Sequence, residues 1–306
     1  MKSIRSIGQE IYNMNYWRER RRYYIFRMRC LFNKKRIQEI DDFFHRNKKL
    51  EEIALLYPFV YEQPTRAFFY NKSTFEERSA LVEQHMDFIT KHFPQEICRD
   101  LYSEKNVFLW EGGEIDGEYL WGMLYYEAGQ RKEGMMSVML RLDNKPLYQI
   151  IFWISKDKNG DISMFIGAMQ GPNMDGARDV VKKVTKYCHA YRTKNLVLYI
   201  TQAVARSLNL KHIYAVTNEG YYANNHVRMD RKLKTDFSEF WNEVGGHQTD
   251  DSRFFELPLT EARKTMEEIP ARKRAVYRKR FAMLDEIDIE VENNVRKLMG
   301  DTAENG

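Results

Sequence analysis

The chain has 306 residues, of which 43% are hydrophobic and 30% charged, values that are ordinary for a soluble globular protein. Its length allows one large domain or two small ones, and it contains no apolar run long enough to span a membrane and no secretory signal. The three widely separated cysteines exclude a disulfide framework and a cysteine metal site, so we expect a cytoplasmic protein.

The net charge of +5 is unevenly distributed, because residues 1–50 carry 14 Lys and Arg against 5 Asp and Glu. Residues 16–50 are predicted to be helical and mix aromatic side chains with arginines. Four side chains are expected on one face, with three arginines beside them: Tyr16, Tyr23, Phe26 and Cys30, and Arg20, Arg21 and Arg22. Such a helix suits an anionic membrane surface, peripheral to the inner membrane, or nucleic acid. The alternative is a peripheral helix whose aromatics pack on the core while its arginines stay in water.

The rest of the N-terminal region is also predicted to be mostly helical. Ile37–Tyr57 continues the helical pattern and Pro58 ends it, whereas Pro64–Lys72 is an extended connection. Residues Ser73–Glu76 offer a capping box ahead of a helix that runs to about Phe93.

From Asn106 the hydrophobic pattern becomes that of strands. Short apolar runs alternate with turn residues such as Gly112-Gly113 and Asp116-Gly117, which favours an antiparallel meander. The predicted strands are Val107–Trp110, Tyr119–Tyr126, Met135–Leu142, Leu147–Ser155 and Met164–Met169.

Helices and short strands alternate in the remainder. The predicted helices are residues 176–191, 195–209 and Phe237–Val244, and a long charged helix or helix pair over Thr260–Met299 with a break at Pro270. The predicted strands are His212–Thr217 and Phe254–Leu259. The fold class is therefore α+β. A helical N-terminal region (1–105) precedes a mixed sheet with flanking helices and a C-terminal basic helix (106–306), and one continuous domain is the alternative.

Several blocks of the sequence resemble the VirK/YbjX family of bacterial proteins. They are Phe165–Pro172, Ala215–Asn218, Phe240–Gly246, Phe255–Pro258 and Glu268–Asp285, with a looser pattern at Trp17, Pro64 and His85. The resemblance covers nearly the whole chain, and Glu219–His226 is the visible departure from it. It implies a role in virulence or in the envelope of enteric bacteria. It implies no catalytic residues, because the biochemical activity of the family is not established.

The predicted order of elements is similar to that of the GNAT, or N-acetyltransferase-like, fold. In that fold the loop after the fourth strand binds the pyrophosphate of an acyl-CoA through backbone N–H groups at a helix N-terminus. The corresponding residues here are Gln170, Gly171, Gly176 and Ala177, and Asn218 would hold a substrate or the pantetheine arm. The alternative is a plain turn and helix start, since Pro172 lacks a donor and Asp175 opposes an anion.

Acyl transfer needs a base for the attacking amine or hydroxyl and an acid for the leaving thiolate. The candidates are Glu127 on a meander strand, His189 on a helix face and Tyr222 after the later strand. For each, the alternative is a structural role: a surface carboxylate, a satisfied or exposed histidine and a packing tyrosine.

A non-catalytic binding protein is the competing hypothesis. Besides the first basic helix, Arg272–Arg280 forms a second basic cluster that includes Arg274 and Arg278. The two could bind anionic lipid headgroups or nucleic acid. The alternative for the second cluster is a solvated helix face that pairs with nearby acidic residues. No Walker, zinc-protease or serine-hydrolase motif is present in the sequence.

Overall fold

The computed structural model describes residues 3–225 and 236–300. Six helices precede the sheet: α1 (Ile4–Ile11), α2 (Trp17–Phe32), α3 (Lys34–Phe44), α4 (Lys48–Leu56), α5 (Phe75–His92) and α6 (Gln95–Tyr102). The helical prediction for this region is confirmed, with breaks at Asn33 and near Asn47, whose side chain accepts from the N–H of Leu50 and starts α4. The helix α4 ends just before Pro58, as the sequence predicts.

The cap of α5 lies one residue later than predicted. The hydroxyl of Thr74 accepts from the N–H of Glu77, and the carboxylate of Glu77 accepts from the N–H of Thr74. Ser73 instead donates to the carbonyl of Phe68, so it anchors the preceding loop. None of the described helices is long and apolar enough to cross a membrane.

One mixed eight-stranded sheet forms the centre of the molecule. Its strands are β1 (Val107–Ile115), β2 (Glu118–Tyr125), β3 (Met136–Leu142), β4 (Lys145–Lys156), β5 (Ile162–Gln170), β6 (Ile213–Val216), β7 (His247–Gln248) and β8 (Phe254–Leu257). They lie in the order β1-β2-β3-β4-β5-β6-β8-β7. Each described pairing is antiparallel except that of β5 with β6, which is parallel. The predicted α+β class and the antiparallel meander are therefore confirmed.

Four further helices flank the sheet: α7 (Ala177–Tyr187), α8 (Thr193–Ser207), α9 (Phe237–Glu243) and α10 (Arg274–Leu298). The helix α8 connects β5 to β6 across the sheet and is buried along most of its length, whereas α7 buries only Val184. The C-terminal helix α10 packs on α8 and β1. It begins at Arg274, so the helix predicted from Thr260 is wrong for the stretch before Pro270, which is irregular apart from turns.

The helical region and the sheet share one hydrophobic core. The phenol of Tyr57 bonds to that of Tyr126 at 2.5 Å, and the backbone N–H of Ile154 in β4 donates to Nδ1 of His85 in α5. Burial lowers the pKa of His85 to about 3, so the ring is neutral and its other nitrogen donates to Tyr102. The N-terminal helices thus pack directly on the strands that position the site.

Candidate functional site

The strands β5 and β6 pair along only part of their length. Their register joins Met164 to Ile213 and ends at Ile166 with Ala215. Beyond that point β5 continues along β4 to Gln170, whereas the N–H of Thr217 turns away to the carbonyl of Arg253. The two strands therefore separate toward the C-terminal end of β5, and we call the space between them the β5–β6 cleft.

A bulge in β5 marks the point of separation. Ile151 pairs with Ala168 and Phe152 pairs with Ile166, so Gly167 is the extra residue. A Cβ atom at Gly167 would lie 1.8 Å from the carbonyl oxygen of Glu133. Only glycine permits this close approach, which brings the loop before β3 onto the bulge.

Glu133 is the buried carboxylate of the cleft. Its side chain accepts from Nε2 of Gln170 at 2.6 Å and from the phenol of Tyr221 at 2.7 Å, so it connects the ends of the two diverging segments. It is only 6% exposed. Burial raises its pKa, although both hydrogen bonds and Lys132 act in the opposite direction. A buried carboxylate that two neighbouring side chains hold in place is a candidate general base.

Two tyrosines follow β6 at this place. Tyr221 forms a bridge with Tyr70, and its ring lies 4.9 Å from that of Tyr222. Tyr222 is 8% exposed and packs edge-on against Phe68. Burial is the main cause that raises the pKa of Tyr221, and the neighbouring Glu133 adds to it, so the phenol keeps its proton. Tyr222, a predicted catalytic residue, thus contacts Tyr221, whose phenol donates to the buried carboxylate of Glu133.

The two other predicted catalytic residues lie elsewhere. Glu127 is exposed and caps a short 3-10 turn that begins at Ala128. His189 lies in the turn after α7, and its carbonyl accepts from the guanidinium of Arg280. Glu127 follows β2, His189 follows α7 and Tyr222 follows β6, so the three lie on separate segments.

The residues predicted to bind a pyrophosphate divide into two places. Gln170 and Gly171 lie at the end of β5, where Gln170 bonds to Glu133 and Gly171 lines a cavity. Gly176, with a φ of 69°, and Ala177 start the exposed helix α7. There the N–H of Ala177 already donates to a backbone carbonyl, as does that of Asp179. This helix start therefore offers fewer free donors than the sequence suggests.

Asn218, predicted to hold a substrate or pantetheine, fastens α9 to the end of β6. Its Nδ2 donates to the carboxylate of Asp236 at 2.7 Å, and its Oδ1 accepts from the N–H of Phe237 at 2.8 Å. Its own N–H donates to Ser238. The indole of Trp241 in the same helix donates to the carbonyl of Val216, so α9 is held along one wall of the cleft.

A cavity of about 270 Å³ lies between the end of β5 and α9. Its wall is formed by Tyr148, Met169 and Gly171 from the sheet side, by Lys194 from the first turn of α8, and by Asp236, Glu239, Phe240 and Glu243 at α9. Glu243 accepts hydrogen bonds from both Lys194 and Arg192. The start of α8 therefore carries two cations that share one carboxylate, Glu243. The sequence alone does not identify Arg192 or Lys194 as candidates. The local sequence pattern does not distinguish α8, which crosses the sheet, from α7, which does not.

The two predicted basic clusters differ in their surroundings. Arg20 and Arg21 are exposed, and Arg22 pairs with Glu19 on the same helix. Arg274 donates to the carbonyl of Ile269, whereas Arg278 is exposed. The second cluster is thus partly used for internal contacts.

Three further side chains could hold a metal ion. Ligand atoms of Asp157, Asp161 and His212 all lie within 4.8 Å of one another. Asp157 already accepts from the N–H of Asp161 in the β4–β5 turn and from the phenol of Tyr214, and His212 bonds to Glu256. These contacts already engage the three side chains at the β4–β5 turn and at the adjacent start of β6.

A family model described as a protein of unknown function (DUF535) matches residues 15–293. The uncharacterized protein YbjX of Escherichia coli K12 is 35% identical over 159 residues, which are 51% of this chain and 48% of the relative. An uncharacterized protein of Haemophilus influenzae is 29% identical over 157 residues, with 51% and 52% covered.

The membrane protein LapB of Mannheimia haemolytica is also similar to this chain. It is 25% identical over 195 residues, which are 62% of this chain and 80% of the relative. The chain spans about half the length of the first two relatives. No solved structure matches the chain.

Proposed function

The chain belongs to the VirK/YbjX family (DUF535), whose model is described as of unknown function, and from the geometry of its sheet we propose that it is a GNAT-like acyltransferase or a degenerate relative of one. It would use an acyl-CoA and act in envelope maintenance or virulence. The observation that carries the proposal is the separation of β5 from β6 beside the buried carboxylate of Glu133. In the GNAT fold an acyl-CoA lies where two neighbouring parallel strands diverge.

The connectivity around the cleft supports this proposal. An antiparallel meander leads into β5, a helix crosses the sheet, and β6 returns parallel to β5. The hairpin β7–β8 then follows, with β8 placed next to β6. This order is similar to that of the GNAT fold. Among the described strands, the proposed opening lies between β5 and β6, where the parallel pairing ends at Ile166 and Ala215.

The chemistry of the cleft suits acyl transfer. Glu133 would accept the proton of an amine or hydroxyl as this group attacks the thioester carbonyl carbon. The C–S bond then breaks, and the leaving thiolate takes a proton from a phenol, for which Tyr222 is the proposed donor. Gln170 and Tyr221 hold Glu133 in position through the hydrogen bonds described above.

The phosphates of the donor would bind at the start of α8 and at Gly171. Lys194 in the cavity wall and Arg192 beside it supply positive charge, and a diphosphate would replace Glu243 as their partner. Asp236 and Glu239 also line this cavity, so the diphosphate would have to lie on the Lys194 side of it. Because α8 points its N-terminus toward this end of the sheet, its dipole also favours an anion.

Titration with a panel of acyl-CoAs tests the proposal. We expect at least one acyl-CoA to raise the melting temperature, and Lys194→Glu to abolish that shift. Glu133→Gln should keep the shift but lower the rate of thiol release by roughly 100-fold or more, the usual effect of removing a general base. Glu114→Gln, an exposed carboxylate in β1, is the matched control and should change neither quantity.

Two outcomes would contradict the proposal. If no acyl-CoA of any chain length shifts the melting temperature, the cleft does not bind this class of donor. If Glu133→Gln and Glu114→Gln release thiol at the same rate, Glu133 is not the base.

A further inference from the structure

The helix α2 exposes an apolar face to solvent. Seven of the fourteen large exposed hydrophobic side chains among the described residues lie between positions 16 and 32. They are Tyr16, Trp17, Tyr24, Ile25, Met28, Leu31 and Phe32. Phe32 is 80% exposed and Trp17 62% exposed. A concentration of this kind on one helix marks an interaction surface rather than scattered surface residues.

These side chains form a stripe because of their spacing. Trp17, Tyr24, Met28 and Leu31 are separated by seven, four and three positions, so they follow one face of the helix. The opposite face packs on the core through Tyr23, Phe26 and Cys30. The helix is therefore apolar on both faces, and only one of them is covered.

Arginines border the exposed stripe. Arg20 and Arg27 lie on one side of it, Arg18 and Arg29 lie on the other, and Arg21 lies within it. In the described part of the chain, Arg18, Arg20 and Arg21 make no side-chain ion pair, whereas Arg22 pairs with Glu19. The only acidic residue of α2 is Glu19. The face thus combines unneutralised guanidinium groups with aromatic and aliphatic side chains.

We propose that this face of α2 docks the protein on an anionic lipid membrane, with the helix lying in the plane of the interface. Tryptophan and tyrosine rings are suited to the headgroup region, and leucine, methionine and phenylalanine side chains to the acyl boundary below it. The bordering arginines then contact lipid phosphates while their aliphatic stems cover the apolar stripe. Charge complementarity selects an anionic surface over a neutral one, and the seven exposed apolar side chains select a bilayer over a nucleic acid, whose backbone is hydrated.

Co-sedimentation with vesicles tests the proposal. The wild-type protein should bind vesicles of phosphatidylcholine with about one third phosphatidylglycerol, and bind pure phosphatidylcholine much less. The apolar variant Leu31→Ser, Phe32→Ser and the charge variant Arg18→Glu, Arg20→Glu, Arg21→Glu should each lower the affinity roughly tenfold or more. Added salt should weaken wild-type binding, because it screens the arginines.

The second basic helix provides a matched control. Arg272→Glu, Arg278→Glu, Lys279→Glu removes the same number of exposed cations from the region where α10 begins. This variant should bind vesicles within about twofold of wild type. Equal loss of binding in the two charge variants would overturn the assignment to α2, and so would vesicle binding that neither α2 variant weakens.

Tryptophan emission gives a second readout that does not depend on affinity alone. Trp17 is exposed, whereas Trp110, Trp153 and Trp241 are buried and Trp121 is half-buried. Anionic vesicles should shift the emission to the blue, and Trp17→Phe should remove that shift. A shift that persists in Trp17→Phe would contradict insertion of this face. If wild-type protein binds no vesicles but binds single-stranded RNA, and the α2 charge variant loses that RNA binding, RNA would replace the membrane as the partner.

Discussion

Glu62 is the most completely buried carboxylate that the structure describes in the helical region, and it joins three segments of the chain. Arg66 lies 2.9 Å from one of its oxygens and Arg131 lies 2.6 Å from the other, while the phenol of Tyr12 donates to it. Burial alone would raise the pKa of Glu62, but Arg131 and Arg66 more than offset this, so the pKa is lowered.

The lowered pKa of Glu62 predicts how its contribution depends on pH. A carboxyl group whose pKa is lower in the folded than in the unfolded protein stabilises the fold at pH values above its unfolded-state pKa. This stabilisation is lost as the pH falls through the folded-state pKa. Glu62→Gln should therefore lower the free energy of unfolding by about 3–5 kcal/mol at pH 7. The difference from wild type should shrink below about pH 4. Urea unfolding at both pH values measures it, and an equal difference at both would contradict the ion-pair account.

Gly167 is the second residue whose identity the fold requires. Gly167→Ala forces a methyl group onto the carbonyl of Glu133, so we expect the free energy of unfolding to fall by about 1–3 kcal/mol. Gly129→Ala is a suitable control, since its Cβ would meet only the carboxylate of Glu127 at 3.4 Å. Thermal melts of both variants measure the difference in stability. Equal melting temperatures would show that the bulge at Gly167 tolerates a side chain.

Most elements could be predicted from the sequence because their patterns are local. Alternating apolar runs and glycine turns indicated the meander, and Thr74 with Glu77 forms a box of the predicted type. The irregular stretch before Pro270 was mistaken for helix because charged residues at helical spacing carry no information on packing. The short elements α1, α6 and β7 were missed, since eight or fewer residues give a weak periodic signal.

The candidate site was less predictable than the elements. Gln170 and Tyr222 were named from the sequence, but their neighbours Glu133 and Tyr221 were not. Glu133 lies in a polar loop and becomes buried only because Gly167, 34 positions later, lets that loop approach the sheet. A contact between residues so far apart in the sequence cannot be predicted from local sequence patterns.

The capping box of α5 gives a prediction at the scale of one element. Thr74→Ala removes the oxygen that accepts from the N–H of Glu77, and we expect a loss of about 1 kcal/mol. Thr260→Ala, an exposed threonine in the loop after β8, should cost almost nothing. Chemical denaturation of both variants is the measurement, and an equally stable Thr74→Ala protein would place the N-cap elsewhere.

At the scale of the whole molecule, the helical region and the sheet depend on each other. Tyr57 with Tyr126, Glu62 with Arg131 and His85 with Ile154 each join an N-terminal helix or loop to the sheet region. The helix α10 then returns across α8 and β1 and buries Leu284, Ile287, Val291 and Val295.

These contacts predict how a fragment behaves. The fragment 106–306 exposes the sheet face that α5 covers, so we expect it not to fold alone, whereas the full chain should unfold in one transition. Circular dichroism and calorimetry on both chains provide the test. A cooperative melt of the fragment would instead support two domains divided near residue 105.

The short parallel pairing of β5 with β6 has a consequence for the order of folding. The strands β1 to β5 follow one another through short turns, so their contacts close small loops. The contact of Met164 with Ile213 closes a loop of almost fifty residues that contains α7 and α8, so its closure costs more entropy. We therefore expect hydrogen exchange to protect the meander before β6 in refolding. The β5–β6 cleft would then be the last part of the molecule to form.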